Sequence, residues 1–377
     1  MSPVTYRCDA CGSEYPADDP WRCDCGHALD YADRPVPDDG PPEPRSLDRD
    51  RGLWAFDAFL PVERRVSLGE GWTPVVDAPS WDAQFKLDYL FPTGSFKDRG
   101  AATTISQALA LGVDRVVEDS SGNAGLAIAT YAARAGIDAE IYVPADAKPG
   151  KLRAIERTGA DVVRVEGSRA DVTDACVEAV ESGDANGEGK EETGWYASHA
   201  WNPAFFAGTA TWALELAAQR EWTVPDAVVT PLGHGTLFLG AYRGFRALER
   251  AGWTDDVPRL LGAQATGYAP FETVDGGDAT DQSTGDETTN DAAAGIQIRE
   301  PARADQIRAA IDATDGAVVA VDAAATAAER DRLARAGFHV EPTSATVTAA
   351  LSRFREKNVL DDGDDVVVAL TGSGLKG

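Results

Sequence analysis

The chain has 377 residues, enough for two lobes with a small appendage, and its formal net charge of −27 is typical of halophilic cytoplasmic proteins. So acidic a surface repels nucleic acid and anionic membranes, and we expect neither as a partner. Because the chain starts without the basic and then apolar pattern of a signal peptide, and has no apolar run of membrane-spanning length, we expect it in the cytoplasm.

Residues 1–32 contain four of the five cysteines. Cys8 and Cys11 form a C-x-x-C pair, and Cys23 and Cys25 form a shortened C-x-C pair. Two tight thiolate pairs on short turns suit tetrahedral zinc, which would hold a segment too small to have its own core. The competing interpretations are four free thiols in an unstructured tail, or His27 replacing Cys25. The pattern predicts a zinc-ribbon-like segment with structural rather than catalytic zinc.

Residues 33–50 are rich in Pro and Asp and predict an extended linker. Short apolar strands and amphipathic helices then alternate, which is typical of βαβ units and a parallel sheet. The acidic stretches 183–194 and 275–295 interrupt this alternation and predict solvated loops. We predict two lobes from this pattern: residues 51–90 and 195–377 form the large lobe, and residues 91–194 form the small one.

Lys97 lies in the stretch P-T-G-S-F-K-D-R-G, at or just before the start of a predicted helix. The positive end of a helix disfavours a cation, and partial burial lowers the pKa of an amine further. A neutral amine is the form that attacks an aldehyde. A lone lysine is more often an ordinary surface residue, so the surrounding motif has to carry the functional interpretation.

Three further loops follow predicted strands, where ligands bind in open α/β sheets. The first precedes a helix whose backbone N–H groups would hold an anion, and the second has the glycines of a phosphate-binding loop. The third follows the last apolar strand. These loops contain, respectively, Ser120, Ser121, Gly122, Asn123 and Ala124; Gly233, His234, Gly235 and Thr236; and Thr371.

Together these stretches resemble threonine synthases, which are fold-type II pyridoxal phosphate (PLP) enzymes of the tryptophan synthase β superfamily. The resemblance rests on the lysine motif with Asp98 after Lys97, and on the stretches SLGEGWTP, EPTSAT and TGSGLKG that begin at residues 67, 341 and 371. It implies a two-lobed α/β fold with parallel sheets flanked by helices, the large lobe binding PLP. It also favours the zinc ribbon, and family members are often homodimers.

The resemblance also implies a role for each loop. Lys97 would bind PLP covalently and then remove the Cα proton of an amino-acid substrate. The loop from Ser120 to Ala124 would hold the substrate carboxylate, with Asn123 against the ring hydroxyl of the cofactor. The loop from Gly233 to Thr236 would hold the cofactor phosphate, and a neutral Thr371 would face the pyridine nitrogen.

The sequence departs from the threonine synthase pattern in two places. Ala124 replaces a threonine, and Phe205 and Phe206 follow an Asn-Pro pair where an arginine is expected. A phenyl ring cannot replace a guanidinium that clamps phosphate. Candidates for a compensating cation are Arg99, Arg153 and His199.

Three functions therefore remain open. The overall pattern favours threonine synthase, which converts O-phosphohomoserine to threonine and phosphate. The altered pocket favours a dehydratase-like β-elimination, or a β-replacement, on serine, threonine or a similar amino acid. A catalytically silent PLP-binding paralogue with a regulatory role is the third hypothesis.

Overall fold

The computed structural model describes residues 4–18, 20–182, 194–273 and 289–376. Within these ranges the strands form one small antiparallel sheet and two larger sheets. No helix of the described part combines the length and the apolar character needed to cross a membrane.

The amino-terminal sheet has the strand order β2-β1-β3, and all its pairs are antiparallel. Its strands are β1 (Thr5–Cys8), β2 (Glu14–Pro16) and β3 (Leu29–Tyr31). The next segment packs against the rest of the molecule, since the indole N–H groups of Trp222 and Trp253 donate to the carbonyls of Pro42 and Asp39, each at 2.8 Å. The segment predicted as a linker is therefore packed against the molecule, with a short 3-10 helix at Pro44–Ser46, and a longer one, Arg49–Phe59, begins at its end.

The four-stranded sheet is entirely parallel, in the order β8-β7-β6-β9. Its strands are β6 (Arg115–Glu118), β7 (Asp138–Pro144), β8 (Asp161–Val165) and β9 (Trp195–Tyr196). The helices of this part of the chain are α1 (Lys97–Leu111), α2 (Asn123–Ala135), α3 (Pro149–Glu156) and α4 (Arg169–Ser182).

The six-stranded sheet has the order β12-β11-β10-β13-β5-β4 and is parallel except for its edge pair β4–β5. Its strands are β4 (Val75–Ala78), β5 (Ala83–Lys86), β10 (Ala227–Pro231), β11 (Arg259–Ala265), β12 (Ala317–Val321) and β13 (Val366–Ala369). The helices are α5 (Pro203–Gln219), α6 (Thr236–Arg250), α7 (Ala304–Ala313), α8 (Ala323–Arg335) and α9 (Pro342–Glu356). The predicted architecture of parallel sheets flanked by helices is confirmed.

Glycines let the central helices α1 and α5 approach closely. A Cβ on Gly208 would lie 2.1 Å from the carbonyl oxygen of Arg99, and one on Gly100 would lie 2.3 Å from the ring of Phe205. A side chain at either position would force the helices apart. This close packing brings the ring of Phe205 beside the first turn of α1, which begins at Lys97.

Most of the two predicted acidic loops lies outside the described residues. The described end of the second loop, residues 289–295, is mostly exposed as expected, but Asn290 and Ala293 are buried. Asn290 is fully buried, and its side-chain amide donates to the carbonyl of Val321 at 2.9 Å and to the hydroxyl of Thr326 at 2.8 Å. A polar residue of this kind can be buried because its hydrogen bonds are satisfied.

Candidate active site

Lys97 is the first residue of α1, and its amine lies between residues at the ends of strands of both larger sheets, Thr236 after β10 and Glu118 in β6; this region is called the cleft below. Its Nζ donates to the hydroxyl of Thr236 at 2.9 Å, and the rings of Phe96 and Phe205 lie 4.8 and 5.4 Å from that nitrogen. Burial lowers the pKa of Lys97 to about 7, with a further lowering from the charge of Arg169. The amine is therefore largely neutral just above neutral pH, which makes it a nucleophile and a proton acceptor.

The loop from Gly233 to Thr236 joins β10 to α6 and contains an unpaired buried polar atom. Gly235 has a φ of 75°, a left-handed conformation that favours glycine, and α6 begins directly after it without a side-chain cap. The Nδ1 of His234 is buried and has no hydrogen-bond partner among the described residues. The first N–H groups of α6 and this ring nitrogen together fit a bound phosphate.

The loop from Ser120 to Ala124 turns sharply between β6 and α2. A Cβ on Gly125 would lie 1.8 Å from the carbonyl oxygen of Ser120, so only glycine permits this turn. The helix again begins without a side-chain cap, which leaves its first N–H groups available to an anion. The carboxylate of an amino acid is such an anion.

The side chain of Asn123 is held by two residues to which the sequence reasoning gave no role. Its amide nitrogen donates to both carboxylate oxygens of Glu341 at 3.0 and 3.1 Å, and its oxygen accepts from the amine of Lys376 at 2.7 Å. Glu341 opens the stretch EPTSAT, and Lys376 lies in TGSGLKG, so the sequence signal for both was present.

Thr371 follows β13 and is buried against Ser344, another residue that the sequence reasoning did not assign. The Ser344 hydroxyl oxygen accepts the backbone N–H groups of Thr371 and Gly372 at 3.0 and 2.8 Å. The two hydroxyl oxygens of Ser344 and Thr371 lie 3.0 Å apart. If the serine donates its proton to Thr371, the threonine O–H is left free to donate to a ligand, as a pyridine nitrogen would require.

A pair of histidines lies beside this cleft. His199 Nδ1 is 2.6 Å from a carboxylate oxygen of Glu118, and its backbone N–H donates to the other oxygen at 3.0 Å. Its ring centre is 5.3 Å from that of His234 and 6.0 Å from that of Phe205. Burial lowers the pKa of both histidines well below the ordinary value, so both rings are neutral at pH 7. Glu118 ends β6 and was missed because nothing in its local sequence marks it.

The suggestion that Arg99 could replace the missing arginine is wrong. Its side chain is fully buried, and its guanidinium is paired with Asp88 at 3.0 Å and Glu215 at 2.9 Å. The charges of these two carboxylates outweigh the effect of burial and raise the pKa of Arg99. Phe206 is also turned away from Lys97, because its ring stacks on the guanidinium groups of Arg243 and Arg303.

The four amino-terminal cysteines come together. Their Sγ atoms lie within 4.8 Å of one another, with separations such as 3.3 Å for Cys23–Cys25, 3.4 Å for Cys11–Cys23 and 3.6 Å for Cys8–Cys25. Four thiolates around zinc, with Zn–S bonds of about 2.3 Å, have sulfur–sulfur distances of about 3.8 Å. The thiols therefore fit a tetrahedral metal site, and Cys25 belongs to this cluster.

The chain is similar in sequence to known enzymes. The family model described as pyridoxal-phosphate dependent enzyme matches residues 66–372. The threonine synthase of Methanocaldococcus jannaschii is 30% identical over 99% of this chain and 93% of its own, and that of Methanosarcina acetivorans is 32% identical over 86% of this chain and 80% of its own.

Solved structures agree at the level of the fold. Maize serine racemase superposes with a TM-score of 0.67 at 22% identity, covering 87% of this chain and 93% of its own. The threonine deaminase of T.th. superposes with a TM-score of 0.60 at 26% identity, covering 77% of this chain and 87% of its own.

Proposed function

The chain belongs to the family of pyridoxal-phosphate dependent enzymes, and from this membership we propose that it converts O-phosphohomoserine to threonine and phosphate. Its two-lobed α/β architecture is that of the fold-type II enzymes. One observation supports catalysis above all: the amine of Lys97 is partly buried, has a pKa of about 7, and hydrogen-bonds to Thr236 of the glycine loop.

The residues of the cleft fit PLP. The amine of Lys97 would bind its aldehyde carbon, the loop from Gly233 to Thr236 its phosphate, and the hydroxyl of Thr371 its pyridine nitrogen. The unpaired Nδ1 of His234 and the uncapped start of α6 support the phosphate site. When bound, PLP supplies an electron sink that stabilises negative charge on the carbon atoms of an amino-acid substrate.

The chain's own groups would bind the substrate and move its protons. The first N–H groups of α2 hold the substrate carboxylate, and this contact orients the Cα–H bond of the substrate toward Lys97. The neutral Nζ of Lys97 removes the Cα proton and later returns it. In the net reaction the Cγ–O bond breaks and phosphate leaves, while Cγ gains the proton that Cβ loses. The oxygen of water bonds to Cβ, and its second proton ends on phosphate.

Thr371 suits this chemistry because a hydroxyl is a neutral partner for a pyridine nitrogen. A neutral partner leaves the electron sink weaker than a carboxylate would, which favours early loss of a leaving group. Ser344 holds Thr371 in place by accepting hydrogen bonds from the backbone N–H groups of Thr371 and Gly372.

A dehydratase-like reaction is the second candidate, and the position of Phe205 favours it. Its ring is buried beside Lys97 and His199, where an arginine clamp for a substrate phosphate was expected. A phosphate-release assay with O-phosphohomoserine, run beside keto-acid detection with serine and threonine, separates the two reactions. Release of phosphate with threonine supports the first proposal, and keto acid without phosphate supports the second. The variant K97A should abolish either activity, whereas a silent paralogue would have none to lose.

We also propose that Cys8, Cys11, Cys23 and Cys25 bind a structural zinc ion. The mutual distances of the four thiols support this, and four protein ligands would leave no open position for catalysis. The acidic surface supports a protein of a salt-rich cytoplasm, and the family resemblance supports a homodimer.

A further inference from the structure

We propose that Arg169 binds the phosphate group of O-phosphohomoserine, in place of the arginine whose position is occupied by Phe205. This proposal rests on the proposed function and assigns a residue for its substrate specificity. Arg169 was not among the compensating residues that the sequence suggested, and it lies on a different element from the Asn-Pro pair.

Arg169 lies at the start of a helix, where the helix dipole disfavours a positive charge. It is the first residue of α4, and the turn before it is fixed by a capping interaction in which the Ser168 backbone N–H and hydroxyl donate to Asp171 at 2.6 and 2.8 Å. A cation at the positive end of a helix is unfavourable. Arg169 has no ion pair with a carboxylate among the described residues, although the chain carries an excess of acidic groups.

The guanidinium of Arg169 reaches across the cleft between the two sheets. Its Nη2 lies 3.4 Å from Nε2 of His234 on the glycine loop. Its positive charge also lowers the pKa of Lys97 and of His199, as a cation does only when it is near these groups. Arg169 therefore belongs to the side of the cleft that contains Lys97, His199 and the ring of Phe205.

The contact between Arg169 and His234 distinguishes the position expected for the cofactor phosphate from a second position for the substrate phosphate. In a histidine ring Nδ1 lies next to the atom that joins the side chain, whereas Nε2 is at the outer tip. Nδ1 is buried in the loop, where the cofactor phosphate is expected, and Arg169 touches the outer tip. An exposed guanidinium at the outer edge of the cleft suits the distal end of a substrate that enters from solvent.

The two neighbouring histidines add no positive charge at this position. Both histidines are uncharged at pH 7, so neither repels Arg169 nor replaces it as a cation. Glu118 is fully buried and hydrogen-bonded to His199, and burial raises the pKa of its carboxyl. Arg169 is then the group that supplies a full positive charge in a planar, bidentate form.

The test compares R169A, R169K and a matched control in the PLP-loaded enzyme. The control is R164A, since Arg164 lies on β8 of the same sheet, its side chain is 55% exposed, and its partner is Glu156 on the surface. We expect R169A to raise the KM for O-phosphohomoserine by about 100-fold with little change in kcat, because binding made equally in ground and transition states is lost. R169K, which keeps the positive charge but lacks the bidentate hydrogen bonding of a guanidinium, should raise KM by about tenfold. R164A should behave as the wild type.

Binding measurements exclude a merely structural effect. Titration with the phosphonate analogue, in which a methylene replaces the ester oxygen, is followed by the absorbance of the cofactor, with homoserine as the ligand that lacks phosphate. R169A should weaken the phosphonate by about 100-fold and leave homoserine unchanged. Equal affinity of wild type and R169A for the phosphonate overturns the proposal, and so does loss of PLP from R169A, which would assign Arg169 to the cofactor. Absence of phosphate release by the wild type refutes the proposed function instead, and the phosphonate titration still decides the role of Arg169.

Discussion

Asp30 connects the amino-terminal sheet to α6 and to the start of α7, and its replacement by alanine should destabilise the whole chain. Its carboxylate is 2% exposed and accepts hydrogen bonds from Arg243 at 2.8 Å, Arg303 at 3.0 Å and Gln306 at 2.9 Å. Arg243 belongs to α6, whose first turn carries Thr236 and the predicted phosphate site. The contact therefore connects the cysteine-rich segment to a helix of the candidate active site.

Asp30 is negatively charged at neutral pH and well into the acidic range. Burial by itself would raise the pKa of this carboxyl, but the charges of Arg243 and Arg303 outweigh it and hold the pKa well below its ordinary value. The carboxylate thus contributes its full stabilisation above the unfolded-state pKa of about 3.9. That stabilisation is lost as the pH falls through the lower folded-state pKa.

The loss of unfolding free energy in D30A depends on the contacts that Arg243 and Arg303 retain. Removing one partner of a buried ion pair costs about 3–5 kcal/mol, because the remaining charge stays buried and uncompensated. Arg303 keeps hydrogen bonds to the carbonyls of Leu29 and Trp201 at 2.8 and 2.6 Å, and Arg243 keeps its stacking on Phe206. We therefore expect D30A to lower the free energy of unfolding by about 3 kcal/mol, at the lower end of this range.

Urea unfolding at pH 7 measures this change. With a denaturant slope of about 3 kcal/mol per M, the midpoint of D30A should fall by about 1 M. D30N, which keeps the size and one acceptor but loses the charge, should lie between wild type and D30A. D33A is the control, since Asp33 is exposed on the same segment. A midpoint for D30A equal to that of D33A would show that water solvates the two arginines and would refute the reasoning.

Three further predictions concern the site and the metal. Burial lowers the pKa of Lys97 to about 7, and the neutral amine is the reactive form, so the rate of PLP uptake by the apoprotein should rise with pH and reach half its maximum near pH 7. The absorbance of the cofactor measures this rate. A midpoint close to the ordinary lysine pKa of about 10.4 would contradict the prediction. S344A should lower kcat about tenfold and the free energy of unfolding by about 1–3 kcal/mol, because the backbone N–H groups of Thr371 and Gly372 lose their acceptor. The control in the same assays is S373A, which replaces another serine of the same turn. Elemental analysis should find one zinc per chain, which C25S weakens and H27A does not; loss of zinc from H27A alone would give the fourth ligand position to His27.

Local motifs were sufficient to predict the fold class and to propose the loops of a candidate active site. The alternation of apolar strands and helices predicted parallel sheets, because such strands need crossover helices on their faces. Lys97 and the glycine loop were recognisable because the conformation of a turn depends on a few adjacent residues. The structure then brings Lys97 and Thr236 to 2.9 Å, since the carboxyl ends of parallel strands meet at one edge.

Only the tertiary structure decided which charges are available to a ligand. Arg99 and Arg169 are both arginines near short motifs, yet one is locked in a buried ion network and the other points at the cleft. The partners that make this difference are distant in sequence: Glu215 is 116 positions from Arg99, and His234 is 65 positions from Arg169. The same is true of Asp30, whose partner Arg303 is 273 positions away. Burial and pairing of a charge depend on such long-range contacts, which a local sequence pattern does not contain.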